Sequence, residues 1–118
     1  MKTKKNICIV VGTRPEAIKM APLALELSKN NDFNLTILAT GQHTDMLLSP
    51  LSFFGLSPDF NLSIMREGQK LDYITSSILE GAGKVFDSIK PSVVLVHGDT
   101  TTTFASSLAA FYRQIRVG

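Results

Sequence analysis

Seven consecutive residues, His97 to Thr103, place an imidazole, a carboxylate and four hydroxyls directly after an apolar run. That run, Ser92 to Val96, is rich in valine and is typical of a buried parallel strand. In open α/β sheets, ligands bind at the edge formed by the carboxyl ends of the strands. Asp99 could therefore orient a sugar hydroxyl or move a proton, and the threonines could bind phosphate oxygens. Structural interpretations stay open: Asp99 as a helix N-cap, His97 as a buried core histidine, and the threonines as partners of backbone donors.

A second polar turn, Gly12 to Glu16, follows the first apolar run and has neither the GxGxxG nor the GxxxxGK[ST] spacing. Arg14 offers a planar guanidinium suited to phosphate or carboxylate, and Lys19 follows about one helical turn later. Two cations near a helix N-terminus favour an anionic ligand. In the alternative, Thr13 caps the helix, Pro15 occupies its first turn, and Arg14 pairs with Glu16.

Gln42 and His43 follow the second predicted strand at the same edge of the sheet. They could reach a ligand there, or form an exposed loop with no ligand at all. The sequence contains no HxH, no CxxC and no carboxylate cluster with ligand spacing, so we predict no metal site.

Strands and helices, recognised by the spacing of their hydrophobic residues, alternate along the chain and must position these residues. Strands are predicted over 6–11, 33–39, 59–63, 92–96 and 115–118, and helices over 15–29, about 44–54 and 71–89, with a last helix marked by Phe104, Leu108 and Phe111. This alternation predicts a Rossmann-like α/β fold, a doubly wound parallel sheet with right-handed crossovers. In the usual strand order, 3-2-1-4, the loops after the first and fourth strands flank the switch-point crevice, so the two polar turns are predicted neighbours.

Two helices carry residues that are unusual inside helices. The first is predicted to bury one face, made up of Met20, Leu23, Ala24 and Leu27. Pro22 lies inside it and is expected to kink or restart the helix. Gly81 and Gly83 weaken the third helix by about 1 kcal/mol each relative to alanine, so something else must favour them there.

The composition predicts a single globular domain over residues 1–118, with 44% hydrophobic and 19% charged residues. The net charge is only +2 and no basic, aromatic-interleaved face is present, which argues against nucleic acid as a partner. Cys8 is the only cysteine, which fits a reducing compartment, and no apolar run approaches membrane-spanning length. We therefore expect a cytoplasmic protein. Because its last strand is cut short, we also expect the domain to be truncated at its C-terminal end.

Taken together, these segments resemble the non-hydrolysing UDP-N-acetylglucosamine 2-epimerases. The matching stretches are GTRPEAIKMAPL at 12–23, GQH at 41–43, VLVHGDTTTTF at 94–104 and LAAFY at 108–112. The resemblance implies that the chain is a partial N-terminal domain of a two-domain enzyme with a glycosyltransferase-B-like fold. It also implies a homodimer in the full-length enzyme and a role in cell-surface polysaccharide biosynthesis.

The resemblance further implies a reaction: UDP-GlcNAc and UDP-ManNAc are interconverted at C2. The C2 proton is removed and UDP leaves, giving a 2-acetamidoglucal, and UDP then returns after reprotonation on the other face; no cofactor is required. Asp99 would be the catalytic carboxylate, and Arg14 and Lys19 would contact the diphosphate of the nucleotide-sugar. Gln42 and His43 match a region that binds a second, regulatory UDP-GlcNAc in some bacterial members.

Glycosyltransferase-B folds place the active site between two domains, so the 118-residue fragment alone is expected to be inactive. A hydrolysing epimerase or a glycosyltransferase would share the fold and differ in product. A small flavodoxin-like module that binds a nucleotide-sugar without catalysis is the alternative from a different class.

Overall fold

Strands and helices alternate in the computed structural model, which describes residues 4–41, 45–64, 70–98 and 100–118. The elements are β1 (Lys5–Val11), α1 (Arg14–Lys29), β2 (Phe33–Ala39), α2 (Asp45–Phe53), β3 (Phe60–Asn61), α3 (Leu71–Ile89), β4 (Val93–Leu95), α4 (Thr101–Tyr112) and β5 (Arg116–Val117). None of the helices in these ranges combines the length and apolar character needed to cross a bilayer.

The five strands form one sheet in the order β3-β2-β1-β4-β5, and every neighbouring pair is parallel. The predicted doubly wound sheet and its 3-2-1-4 order are therefore confirmed. Strands β3, β4 and β5 are shorter than predicted, although backbone hydrogen bonds to the neighbouring strand continue past their ends, for example from Leu62 N to Ala39 O at 2.8 Å. The central strand, β1, pairs Ile9 with both Ile37 and Leu95. Its carboxyl end consequently lies beside the carboxyl ends of β2 and β4.

Alternate residues of β1 face opposite sides of the sheet and form two separate cores. Ile9 and Val11 pack against α1 and α2 on one side. Cys8 and Val10 pack against α3 and α4 on the other. Because both faces are covered, the strand is apolar at every position from Ile7 onward, which is the pattern expected of a buried parallel strand.

Helix α1 differs from its prediction in two ways. Leu23, expected in the core, is 42% exposed, and the buried face consists of Glu16, Ala17, Met20, Ala21 and Ala24. The helix also runs without interruption through Pro22, so the predicted restart there is wrong. Burial of Ala21 and Ala24 on the sheet holds both halves of the helix against the same surface. That packing outweighs the loss of one backbone hydrogen bond.

Helix α4 also turns small residues toward the core, although its large residues had marked it in the sequence. Phe104 and Phe111 are 61% and 71% exposed. The buried positions are Thr102, Ala105, Ser106, Ala109 and Ala110. Small side chains allow α4 to lie close to α3 and the sheet, so the aromatic residues point outward.

The two glycines inside α3 lie where neighbouring side chains cross the surface of the helix. A Cβ atom added to Gly81 would lie 2.9 Å from Leu62 Cδ1, and one added to Gly83 would lie 2.5 Å from Arg113 Nη2. At both positions glycine leaves room for the end of a side chain from outside the helix.

Candidate functional site

The loop from β1 to α1 is organised by a helix cap. Thr13 is the N-cap of α1, and its Oγ1 accepts a hydrogen bond of 3.4 Å from the backbone N of Glu16. Pro15 lies in the first turn, where its missing N–H would have no helical partner. The predicted roles of Thr13 and Pro15 are confirmed.

Glu16 connects this loop to the one that follows β4. The residue is only 3% exposed. Its Oε1 accepts from the backbone N of Gly12 at 2.7 Å, and its Oε2 accepts from Thr100 Oγ1 at 2.6 Å. Both carboxylate oxygens are thus committed to loop atoms, in contrast to the interpretation in which Glu16 pairs with Arg14. The two polar turns are neighbours, as predicted from the strand order.

A buried pair of hydroxyls lies beneath the contact between the two loops. Thr40, just after β2, and Thr102, in the first turn of α4, are 3.0 Å apart at their Oγ1 atoms. A Cβ atom on Gly12 would lie 2.0 Å from Thr102 Oγ1 and 2.7 Å from Thr40 Oγ1. Only glycine lets the end of β1 pass this close to the two hydroxyls. The ends of β1 and β2 and the first turn of α4 therefore meet at one point.

The threonine run after β4 serves mainly to build the loop. Thr100 is the N-cap of α4 and accepts from the backbone N of Thr103 at 3.4 Å. Thr103 Oγ1 in turn donates to the carbonyl oxygen of His97 at 2.8 Å. The interpretation of Asp99 as the N-cap is therefore wrong, because Thr100 occupies that position. His97 is exposed, so its interpretation as a buried core histidine is wrong as well.

Arg14 and Lys19 lie on different parts of the surface of α1. Arg14 is exposed, donates from Nη1 to Ser49 Oγ at 3.2 Å, and borders a groove of about 360 Å³ between α1 and α2. The described residues that line this groove are Arg14, Ile18, Ser49, Pro50, Phe53 and Phe54. Lys19 is exposed and follows Arg14 by five positions, which places it on another face of the helix. The two cations therefore flank the helix start rather than form one cluster.

Three of the predicted site residues, Gln42, His43 and Asp99, lie outside the described residues. Two functional positions were not singled out from the sequence: Glu16 as a link between loops, and Thr40 as the partner of Thr102. For Glu16 a signal exists, because Thr13-Arg14-Pro15-Glu16 has the T-x-x-E spacing of a capping box. Thr40 carries no comparable signal, since its partner lies 62 positions away.

Cys8 is not a candidate nucleophile. Its side chain is fully buried in β1. Burial, reinforced by the negative charge of Asp59, raises the pKa of the Cys8 thiol to about 12. A thiol that stays protonated at neutral pH and lies away from solvent is chemically inert.

The first turns of α1 and α4 meet at the carboxyl edge of the sheet, at the switch-point crevice that the strand order places between β1 and β4. Both helices direct backbone N–H groups toward this edge, and the Arg14 guanidinium lies at the start of α1 on the side of α2, against Ser49. The fold and this crevice define a doubly wound α/β protein of the class that binds ligands at its switch point. Within that class, the chain belongs to the UDP-N-acetylglucosamine 2-epimerase family, whose sequence profile matches residues 25–118.

Individual relatives extend the similarity to the loop before residue 25. The UDP-N-acetylglucosamine 2-epimerase of Bacillus subtilis (strain 168) is 56% identical over 115 residues, which is 98% of this chain and 30% of the relative. The Escherichia coli K12 enzyme of the same name is 54% identical over 113 residues, 96% of this chain and 30% of that relative. The chain thus spans about 30% of the length of the curated relatives it matches.

Solved structures give the same result for the fold. A crystal structure of the UDP-GlcNAc 2-epimerase from Neisseria meningitidis, bound to UDP-GlcNAc, superimposes with a TM-score of 0.89 at 51% identity. The match covers 96% of this chain and 31% of that one. The predicted fold is confirmed: the parallel sheet corresponds to about a third of a glycosyltransferase-B-like epimerase chain.

Proposed function

We propose that this chain supplies one wall of the active site of a UDP-N-acetylglucosamine 2-epimerase, which interconverts UDP-GlcNAc and UDP-ManNAc. The observation that carries the proposal is the 56% identity to the Bacillus subtilis epimerase across 98% of the chain. The convergence of the two polar loops supports it, because their contact through Glu16 and Thr100 brings Arg14 to the same edge as the β4–α4 turn.

In the proposed reaction, a base removes the C2 proton of the sugar and the C1–O bond breaks, so that UDP leaves with the bonding electrons. The product is a 2-acetamidoglucal. Protonation of C2 from the other face and return of UDP to C1 complete the inversion, so atoms and charge balance without a cofactor. Asp99 is proposed to act at the sugar, either as acid and base or by orienting a hydroxyl.

Negative charge accumulates on the diphosphate as UDP leaves, and cationic groups near it lower the barrier. Arg14 suits this role because its guanidinium lies at the exposed start of α1, where free backbone N–H groups already favour anions. Lys19 is proposed to contribute a second positive charge from a neighbouring face of the helix. Gln42 and His43 are proposed to contact either this substrate or a second, regulatory UDP-GlcNAc.

We also propose that the 118-residue chain by itself does not turn over substrate. A span of about 30% of the relatives leaves most of their length unmatched.

A cytoplasmic location and a homodimer are also part of the proposal. The buried Cys8 supports a reducing compartment, and the exposed Phe104, Phe111 and Tyr112 on α4 supply an apolar surface suited to an interface.

The proposed function can be tested with a hybrid enzyme, in which this chain replaces the matching segment of the Bacillus subtilis relative. The hybrid is expected to convert UDP-GlcNAc to UDP-ManNAc, measured by separation of the two nucleotide-sugars after incubation. The Bacillus subtilis enzyme itself is the positive control, and the 118-residue chain alone is expected to give no product. A folded hybrid that releases only free ManNAc and UDP would instead favour a hydrolysing epimerase. One that binds UDP-GlcNAc without changing it would favour a non-catalytic module.

A further inference from the structure

A buried carboxylate at the loop crossing has no role in the reaction proposed above. Glu16 is 3% exposed and lies under the crevice, with hydrogen bonds to Gly12 and Thr100. Burying a carboxylate is unfavourable unless its oxygens are hydrogen-bonded, and an apolar side chain of similar size would fill the space at least as well. The reason for a carboxylate at this position is therefore the pair of hydrogen bonds that it accepts from Gly12 and Thr100.

We propose that Glu16 is a positioning residue, which fixes the β1–α1 loop and the start of α4 at the separation that the substrate requires. The inference rests on the proposed function. Gly12 lies two residues before Arg14, so fixing its backbone limits where the guanidinium can reach. Thr100 directly follows Asp99 in the chain, so fixing its hydroxyl restrains the other loop in the same way.

Glu16 acts through these neighbours and not on the ligand itself. Both of its oxygens already accept hydrogen bonds, and almost none of the residue is exposed to solvent. The two loops are otherwise far apart in sequence, since the bond between Glu16 and Thr100 joins positions separated by 84 residues. Loss of this link would remove the hydrogen bond between the two loops and leave only the packing of Gly12 on Thr102 to hold them together.

The conservative variant Glu16→Gln keeps both hydrogen bonds. Its amide oxygen can accept from Gly12, and its amide nitrogen can donate to the Thr100 hydroxyl, which is able to accept as well as donate. Glu16→Ala loses both bonds. Thr100→Val removes the hydroxyl at nearly constant shape, and with it both the bond to Glu16 and the N-cap of α4, whereas Thr100→Ser retains both. A positioning role therefore predicts one disruptive and one tolerated variant at each end of the link.

The experiment measures kcat and KM for UDP-GlcNAc in the hybrid enzyme carrying each variant. We expect Glu16→Ala and Thr100→Val to lower kcat about 10- to 100-fold, as displaced catalytic groups do. Glu16→Gln and Thr100→Ser are expected to stay within about threefold of the unmutated hybrid. Ile78→Val, in the buried core of α3, is the control for lost stability, and it should lower Tm without lowering kcat below the unfolding temperature.

Two results would overturn the inference. One is a folded Glu16→Ala hybrid with the kcat and KM of the parent, which would leave Glu16 as a structural residue only. The other is a Glu16→Gln hybrid as impaired as Glu16→Ala, which would show that the charge and not the pair of hydrogen bonds matters. If the unmutated hybrid is itself inactive, the proposed function is wrong and the inference falls with it.

Discussion

Thr40 and Thr102 share a buried hydrogen bond of 3.0 Å between their Oγ1 atoms, across 62 positions of the chain. The pair lies where the end of β2 meets the first turn of α4. Gly12 passes directly over it, with the position of its missing Cβ atom 2.0 Å from Thr102 Oγ1. The carboxyl edge of the sheet is therefore close-packed beneath the loops that are proposed to bind substrate.

Gly12→Ala is expected to destabilise the protein by about 1–3 kcal/mol, because an added methyl group must displace Thr102, Thr40 or the β1–α1 loop. The measurement is thermal unfolding of the 118-residue chain, with and without the substitution. In the hybrid enzyme, the same substitution should also lower kcat, since the displaced loop carries Arg14.

Gly81→Ala in α3 is the matched control. Its added Cβ atom would meet only the flexible end of Leu62, at 2.9 Å, and the gain in helix propensity offsets that contact. We expect it to stay within about 1 kcal/mol of the parent. Equal Tm values for the Gly12→Ala variant and the parent would contradict the tight approach at the loop crossing.

The Cys8 thiol is expected to react with thiol reagents only when the chain unfolds. A pKa of about 12, raised by burial and by Asp59, keeps the thiol protonated in the folded state. In the unfolded chain its pKa is about 8.5. The thiol therefore does not affect stability below pH 8, and stability is lost as the pH rises above the unfolded value, by about 2 kcal/mol at pH 10.

The test compares the free energy of unfolding of the parent and Cys8→Ala between pH 7 and pH 10. The alanine variant loses packing at all pH values, but it should not show the additional decline above pH 8.5. Rapid labelling of the native thiol at pH 8 would contradict this prediction, because it would require either an exposed sulfur or a lowered pKa.

The position of the crevice could be predicted from the sequence because it depends on the order of elements. Once strands and helices alternate, right-handed crossovers bring the loops after β1 and β4 together at the switch point. Thr13 as a cap could also be predicted, since capping uses local spacing. The contact between Glu16 and Thr100 confirms the neighbourhood of the two loops.

The buried face of α4 was harder to predict than the position of the loops. The large residues Phe104, Leu108 and Phe111 marked α4 as a helix in the sequence, but Phe104 and Phe111 are exposed while Ala105 and Ala109 are buried. Periodicity alone does not show whether the partner surface needs large or small side chains. The hydrogen bond between Thr40 and Thr102 could not be predicted either, because neither residue carries a local signal of a contact so distant in sequence.

Asp87 and Arg113 tie α3 to the end of α4, with Arg113 Nε donating to Asp87 Oδ1 at 2.8 Å. This hydrogen bond holds the pKa of Asp87 below its ordinary value. A lowered carboxylate pKa adds stability above the unfolded value, about 3.9, and that contribution is lost as the pH falls through the folded value. Asp87→Asn should therefore lower Tm at pH 6, and the difference from the parent should vanish near pH 2.

Because Asp87 is exposed, salt should screen part of this effect. Lys84→Gln, a change of one charge on the same helix, is the control and should show no such convergence at low pH. A constant difference in Tm between Asp87→Asn and the parent at all pH values would contradict an electrostatic origin.

Arg14 is expected to contribute mainly through the diphosphate of the substrate. Arg14→Ala in the hybrid enzyme should lower kcat/KM for UDP-GlcNAc about 10- to 100-fold, the range for losing a hydrogen bond between charged groups, and part of this loss should lie in kcat. Arg14→Lys should recover only part of this loss, because an ammonium cannot bind two oxygens in one plane. Ser49→Ala, which removes the neighbour that accepts from Arg14, should have a smaller effect. Unchanged kcat and KM in Arg14→Ala would exclude contact with the diphosphate.

Asp99→Asn addresses the proposed chemistry most directly. The amide has nearly the same shape as the carboxylate, but it can neither accept the C2 proton nor return one, so turnover should fall by at least about 100-fold while KM changes little. The N-cap of α4 is Thr100, so loss of the Asp99 carboxylate should not remove the helix cap. The measurement is kcat and KM of the hybrid enzyme, together with exchange of the C2 hydrogen in deuterated water. An Asp99→Asn hybrid that exchanges this hydrogen at the parent rate would show that another group moves the proton. Slow exchange together with accumulation of free UDP and 2-acetamidoglucal would place Asp99 at the later step, where UDP returns to the sugar.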